Sequence, residues 1–277
     1  MKTRLSVIIT NYNTHKFVYF LLKALVKLSS EIPIIYIHDN GSTPSNLKKL
    51  LKIIKKFDNI KIILLSTIDN SISSIAHGNA LDRSIKLVDT EYFCIFDSDC
   101  VPLCKGWDDI LISRLENGLS AIGSPFWSGE TATHRKYDDF PAQFFVMFKS
   151  ADYLYADTTC RAYNTQERDT CMQWKIDFLK ADLKTEVFVT VSTREAEIAT
   201  ISPVICTCYY IDDQLIGSHF GRGHQGGMPK YNGRHSIFKG YSILFKIPIL
   251  RGILIYTKAK SEFYLWRSKL TSIINKS

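Results

Sequence analysis

The sequence predicts an α/β protein whose first 125 residues form a parallel sheet flanked by helices, and two observations predict it. Short β-branched runs alternate with amphipathic stretches of helical period from Leu5 onward. Three polar clusters, Asn11-Tyr12-Asn13, Asp39-Asn40-Gly41 and Asp97-Ser98-Asp99, follow three of those runs directly. In an open parallel sheet, ligands lie beyond the carboxyl ends of the strands. Three clusters at such ends therefore point to one shared site.

The elements follow in order. Leu5–Thr10 reads as a buried parallel strand. Phe17, Leu21, Leu25 and Leu28 share one face of a helix over His15–Leu28. Ile34–His38 is a second strand, closed by the turn-forming Asp39-Asn-Gly-Ser-Thr-Pro44. Asn46–Phe57 is a helix with a lysine face, and Ile60–Leu65 a third strand. Ser73–Val88 is helical, Tyr92–Phe96 a fourth strand, Gly106–Leu115 a helix and Ala121–Gly123 a short strand. Beyond Gly123 the character becomes α+β. Strands are expected at Gln143–Lys149, Glu186–Val191 and Thr200–Tyr210, with a helix at Cys171–Ala181 and a glycine-rich mobile loop at Gly217–Gly227. The expected units are residues 1–125, an acceptor-side half over 126–228 and a tail over 229–277.

Composition narrows the function classes. With 45% hydrophobic and 22% charged residues the chain can bury a core, which excludes wholesale disorder. The net charge of +8 is uneven: residues 229–277 hold ten Lys/Arg and one acid, and the rest of the chain is near neutral. No nucleic-acid partner is expected, since no DNA- or RNA-binding module is visible. The seven cysteines are odd in number and lack paired CxxC spacing, so reduced buried thiols and a cytoplasmic address are expected. The apolar run at the N-terminus is too short for a secretory signal, and no stretch of about 18 apolar residues suggests a membrane span.

The strongest local feature is Tyr92-Phe-Cys-Ile-Phe-Asp-Ser-Asp-Cys-Val-Pro102. A strand delivers Asp97 and Asp99 with one residue between them, so both carboxylates can face one small volume. Like charges that close repel unless a cation neutralises them, and a hard divalent ion with oxygen ligands does so. The plain alternative is two solvated loop aspartates. Here the chain resembles the GT-A-fold glycosyltransferases of the family 2 type. Leu5-Ser-Val-Ile-Ile-Thr-Asn-Tyr-Asn13 is similar to the family's first strand and loop. Ile37-His-Asp-Asn-Gly-Ser-Thr43 resembles its second strand and turn, His77-Gly-Asn-Ala-Leu-Asp-Arg-Ser-Ile85 its helix before the metal motif, and Phe96-Asp-Ser-Asp99 its DxD.

The resemblance implies a GT-A architecture: a Rossmann-like nucleotide-sugar-binding sheet, an α+β acceptor half and a nucleotide-sugar donor. It implies that Thr10, Asn11, Tyr12, Asp39, Gly78, Asp97 and Ser98 bind the donor. Asp97 and Asp99 would hold Mn2+ or Mg2+, with the late His219 completing the shell and His224 as an alternative ligand. Arg222 and the glycine backbone would close over the diphosphate. The family commonly has Asn where this chain has Asp82, which cannot donate a hydrogen bond. Asp169, in Glu167-Arg-Asp-Thr-Cys171, is the expected general base for the acceptor hydroxyl, with an N-cap role as the plain alternative and Glu167, Asp212 and Asp213 as rivals.

The expected activity is inverting transfer of one sugar to a glycan or lipid-linked acceptor, with a UDP-sugar favoured. The rivals are a sugar nucleotidyltransferase and a non-catalytic glycan- or membrane-binding module. The tail, residues 231–277, mixes bases with aromatic and aliphatic residues. It suits one or two interfacial helices broken at Pro248 on an anionic membrane surface, or a helical pair packed on the body.

Overall fold

The computed structural model describes residues 3–71, 73–126, 137–162, 169–193, 196–198, 200–221 and 248–276. The alternation expected of the first half is present. It runs β1 (Leu5–Asn11), α1 (His15–Leu28), β2 (Ile34–Asp39), α2 (Pro44–Ile54) with a 3-10 turn at Lys55–Phe57, β3 (Ile62–Ser66), α3 (Ser73–Ile85) and β4 (Tyr92–Asp97). The chain continues through β5 (Cys100–Pro102), α4 (Trp107–Glu116), β6 (Ala121–Pro125), β7 (Pro141–Lys149), α5 (Ser150–Tyr155) and α6 (Gln173–Lys180). It closes with β8 (Thr185–Val187), β9 (Val189–Ser192), β10 (Thr207–Ile211), β11 (Gln214–His219) and α7 (Pro248–Lys276).

A seven-stranded sheet has the order β3-β2-β1-β4-β7-β6-β8, and a four-stranded sheet the order β5-β11-β10-β9. β1 pairs in parallel with β2 on one side and β4 on the other. The chain order therefore reverses between β1 and β4, the place where open α/β sheets form a ligand crevice. β1 and β4 are buried along nearly their whole length and mostly apolar because both faces of the sheet are covered. One core lies under α1, α2, α4 and α7 and takes in the small sheet. The other lies under α3, α5 and α6, around Phe93, Phe148, Trp174 and Phe178. α2 starts where the sequence permits it: Pro44 occupies the first turn, and the Thr43 hydroxyl accepts a hydrogen bond from the Asn46 N–H.

Three expectations change. Thr200–Tyr210 is a strand only from Thr207, because residues 200–204 turn. The expected loop at Gly217 is the end of β11, which pairs with β10 and with β5, a strand that sequence reading missed; residues 222–227 lie outside the described residues. Pro248, the expected break point of the tail, is the first residue of a helix of 29 residues, in a first turn where its missing N–H costs nothing. In the later part of α7, Phe263, Trp266, Leu270 and Ile274 are buried in the first core, so this part packs on the body. Residues 231–247 lie outside the described residues. Among the described residues, no helix is long and apolar enough to cross a membrane.

Candidate active site

A cavity of about 540 Å³ opens at the carboxyl ends of β1 and β4, in the size range of small-molecule sites. The parallel register that sets Thr10 opposite Asp97 brings the β1 loop and the DxD to its walls. Thr10, Asn11, Tyr12, Asp97, Ser98, Asp99, Asp169 and His219 all line it. These side chains come from four separate stretches of sequence, and the fold collects them.

Asp97, Asp99 and His219 each offer a ligand atom, all within 4.8 Å of one another. His219 Nε2 lies 3.3 Å from Asp99 Oδ1 and 3.7 Å from Asp97 Oδ2. The antiparallel pairing of β11 with β5 sets His219 opposite Cys100, the residue after Asp99. The Phe220 N–H donates to the Asp99 carbonyl at 2.9 Å and fixes the same register. Tyr209 Oη sits 3.3 Å from His219 Nδ1, and Phe144 stacks on the imidazole at 5.0 Å. A partner on one ring nitrogen aims the other, as in many metal-ligating histidines. Burial raises Asp97 to about 7, Asp99 adds to the shift and His219 opposes it. Burial acts to lower the His219 pKa, but the Asp99 and Asp97 carboxylates outweigh it and the net shift is upward. One buried and one half-buried carboxylate and one imidazole form a set that a hard divalent cation would satisfy.

The other expected residues divide into cavity-facing and bracing groups. Tyr12 is 51% exposed at the rim. Asn11 is buried, and its Nδ2 donates to Asp39 Oδ1 at 2.6 Å and to Ser42 Oγ at 3.0 Å. Asp39 also accepts from the Ser42 N–H at 3.1 Å. It is buried behind Asn11 and braces the β1 and β2 loops rather than lining the cavity. Gly78 is buried and is not among the residues that line the cavity. A Cβ there would stand 2.4 Å from the Cys160 carbonyl oxygen, so this glycine lets α3 pack against the segment at residues 160–161. Asp82 belongs to the same packing: it accepts from the Cys160 N–H at 2.7 Å and from the Thr159 hydroxyl.

Asp169 lies on the cavity wall, and its Oδ1 accepts from the Thr170 N–H at 2.8 Å. The N-cap alternative does not hold, because α6 starts at Gln173 and its N-cap is Met172. Thr170 Oγ1 donates to the Ser74 carbonyl at 2.8 Å and pins this wall to α3. Of the rivals, Asp212 pairs with Arg114 on the surface, Asp213 is exposed in the turn between β10 and β11, and Glu167 lies outside the described residues. Arg222 and His224 also lie outside them.

Sequence reading missed two residues of this wall. His77 Nε2 is 3.0 Å from Thr10 Oγ1 and 3.9 Å from Asp97 Oδ1, and burial lowers its pKa to about 4, so it stands neutral at pH 7. Its signal was present: it shares a helical face with Ser73 and Ser74, which also line the cavity. Gln143, 6% exposed, lines the cavity with its Oε1 unpartnered among the described residues. A buried acceptor without a donor costs roughly 1–3 kcal/mol. No local motif marks Gln143, because it reaches the site only through the pairing of β7 with β4.

The profile described as Glycosyl transferase family 2 matches residues 6–174. No curated protein matches the chain. Among solved structures, a mannosyltransferase from Pyrobaculum calidifontis, in complex with GDP-Man and Mn2+, superposes with a TM-score of 0.52. Its identity is 12%, over 68% of this chain and 55% of that one. S. aureus TarS 1–349 gives a TM-score of 0.45 at 16% identity, over 59% of this chain and 53% of that one. Glucosyl-3-phosphoglycerate synthase from Mycobacterium tuberculosis, with Mn2+, uridine-diphosphate and phosphoglyceric acid, gives 0.47 at 14%, over 67% and 68%. The chain thus spans about half the length of the first two. With the profile covering more than half of the sequence, and a sheet, crevice and DxD arranged as GT-A, the chain belongs to glycosyl transferase family 2.

Proposed function

We propose that the protein is a metal-dependent, inverting glycosyltransferase that moves one sugar from a nucleotide-sugar donor, a UDP-sugar favoured, to a hydroxyl of a glycan or lipid-linked acceptor. The observation that carries this reading is the convergence of Asp97, Asp99 and His219 on the wall of the β1–β4 crevice. Carboxylate oxygens with one imidazole suit manganese or magnesium. When bound, the ion would supply Lewis-acid stabilisation to the nucleoside diphosphate that leaves.

The remaining roles belong to side chains in place. Tyr12, exposed at the rim, offers its ring to a nucleobase. Neutral His77, beside Thr10 and Asp97, can hydrogen-bond a donor oxygen without adding a second positive charge at the carboxylates. Gln143 Oε1 accepts a hydrogen bond from a sugar hydroxyl, which would satisfy an acceptor that protein groups leave open. Asp169 takes the proton from the acceptor hydroxyl as that oxygen attacks the anomeric carbon. With one carboxylate base and no assigned carboxylate nucleophile, displacement occurs once and inverts that carbon.

Incubating the protein with Mn2+ and a panel of nucleotide sugars tests this, with release of nucleoside diphosphate as the readout. One donor should be turned over in preference to the rest. Asp169→Asn should lower transfer at least 100-fold while leaving donor affinity within about threefold, since general-base catalysis contributes roughly 10²–10⁴. Absence of turnover with every donor, or full transfer by the Asp169 variant, contradicts the assignment.

A further inference from the structure

Much of the protein's positive charge falls on three helical segments that pack together. α1, α2 with its 3-10 turn, and α7 carry fourteen Lys/Arg and a single acid, Glu262, which is buried. These segments are therefore +13, and the rest of the chain is −5. All eight lysines of α1, α2 and the turn are exposed. The three helices are neighbours. α1 packs against both α2 and α7. Phe17 meets Phe263 at 4.8 Å, Lys56 lies 5.7 Å from the Tyr19 ring, and Arg267 lies 4.8 Å from the Phe20 ring.

We propose that the face formed by α1, α2 and α7 docks the protein on an anionic lipid bilayer. Three features favour lipid over a nucleic acid. Twelve of the fourteen bases are lysine, a point charge suited to head groups rather than to bidentate readout. The rings of Tyr19 and Phe20 are covered by cations rather than open for base stacking. Leu51 and Tyr264, on α2 and α7, are 42% and 49% exposed and supply apolar groups at the interface. The seat also orients the cavity. Thr14, just before α1, lines it, and Asn13 Oδ1 accepts from Asn46 Nδ2 in the first turn of α2 at 2.9 Å. The cavity rim thus stands at one end of the basic face. A lipid-linked acceptor would reach it from the bilayer edge, a clause that rests on the transferase reading.

Vesicle co-sedimentation of the full chain at 0.1 M salt tests the proposal without any donor or metal. The full chain should bind phosphatidylcholine vesicles carrying 30% phosphatidylglycerol, ignore pure phosphatidylcholine, and lose binding as salt rises. Lys48→Glu, Lys52→Glu and Lys55→Glu together lie outside the C-terminal helix. They should weaken binding more than a hundredfold, since each base near an anionic surface contributes about fivefold and the substitution reverses its charge. The matching triple Gln variant should lie between, and both should keep the wild-type melting temperature. Binding equal to wild type in the triple variants, no preference for anionic vesicles, or displacement by single-stranded RNA at lower concentration than by anionic vesicles overturns the proposal. Failure of nucleotide turnover with intact vesicle binding would instead count against the transferase reading alone.

Discussion

Single residues decide whether the crevice can hold its ligands. Gln143 is the residue whose role the sequence hid. Gln143→Leu removes the buried acceptor, so a donor hydroxyl loses its partner. The preference for the hydroxyl-bearing sugar over its deoxy analogue should then fall at least tenfold in kcat/KM, with affinity for the free nucleoside diphosphate unchanged. Competition assays with matched sugar pairs would show it, and an unchanged preference would contradict the role. Gly78 makes a second prediction, about stability. In Gly78→Ala the new Cβ meets the Cys160 carbonyl at 2.4 Å. The cost should be about 1–3 kcal/mol, read as a lowered denaturation midpoint. Asp97 and Asp99 were legible because two carboxylates follow an apolar strand. Gly78 is harder to read, because a glycine within a motif looks the same whether it approaches a ligand or a neighbouring loop. Only the loop at residues 160–161 separates the two readings.

At the scale of elements, the most informative joint is that between α7 and β11. Trp266 Nε1 donates to Ser218 Oγ at 3.4 Å, and its ring lies 5.3 Å from Phe220. Those residues bracket His219. Trp266→Ala should therefore cost about 3–5 kcal/mol and also weaken Mn2+ affinity, because β11 loses its backing. A variant that is less stable but binds metal normally would separate the helix from the site. A second joint ties β2 to α3. His38 Nδ1 lies 3.0 Å from Ser84 Oγ, and Nε2 lies 2.8 Å from Thr67 Oγ1. Burial, with a lesser contribution from Arg83, lowers the His38 pKa to about 4. The unfolded chain, with an ordinary value near 6.5, binds that proton first as pH falls. Stability should thus be full above pH 6.5 and decline between 6.5 and 4, by up to about 3 kcal/mol. Urea midpoints measured against pH for wild type and His38→Gln would show the slope reduced in the variant. The helices and parallel strands were legible from periodicity. β5 and β11 were not, since three residues carry no period and the end of β11 begins at a glycine that sequence reading assigns to a loop.

For the molecule as a whole, the alternation of elements implied a parallel sheet with a site at the carboxyl ends of its strands, while the order that opens the crevice between β1 and β4 came only from the structure. The small sheet was not implied, because its partners β5, β9, β10 and β11 are short and far apart in sequence. That sheet carries His219 to the carboxylates, so the residue was legible as a candidate and its placement was not. Charge behaved likewise. The lysines of α2 and the basic C-terminus were both visible in the sequence, yet only the packing of both α2 and α7 against α1 brings them together. The central claim is that the β1–β4 crevice is a cation-dependent nucleotide site, and calorimetric titration of UDP and GDP into the protein tests it most directly. The account predicts binding of at least one nucleotide with Mn2+ present, none after chelation, and at least 100-fold weaker binding in Asp99→Ala. Binding that survives both chelation and Asp99→Ala, or no binding of either nucleotide with Mn2+ present, would contradict it.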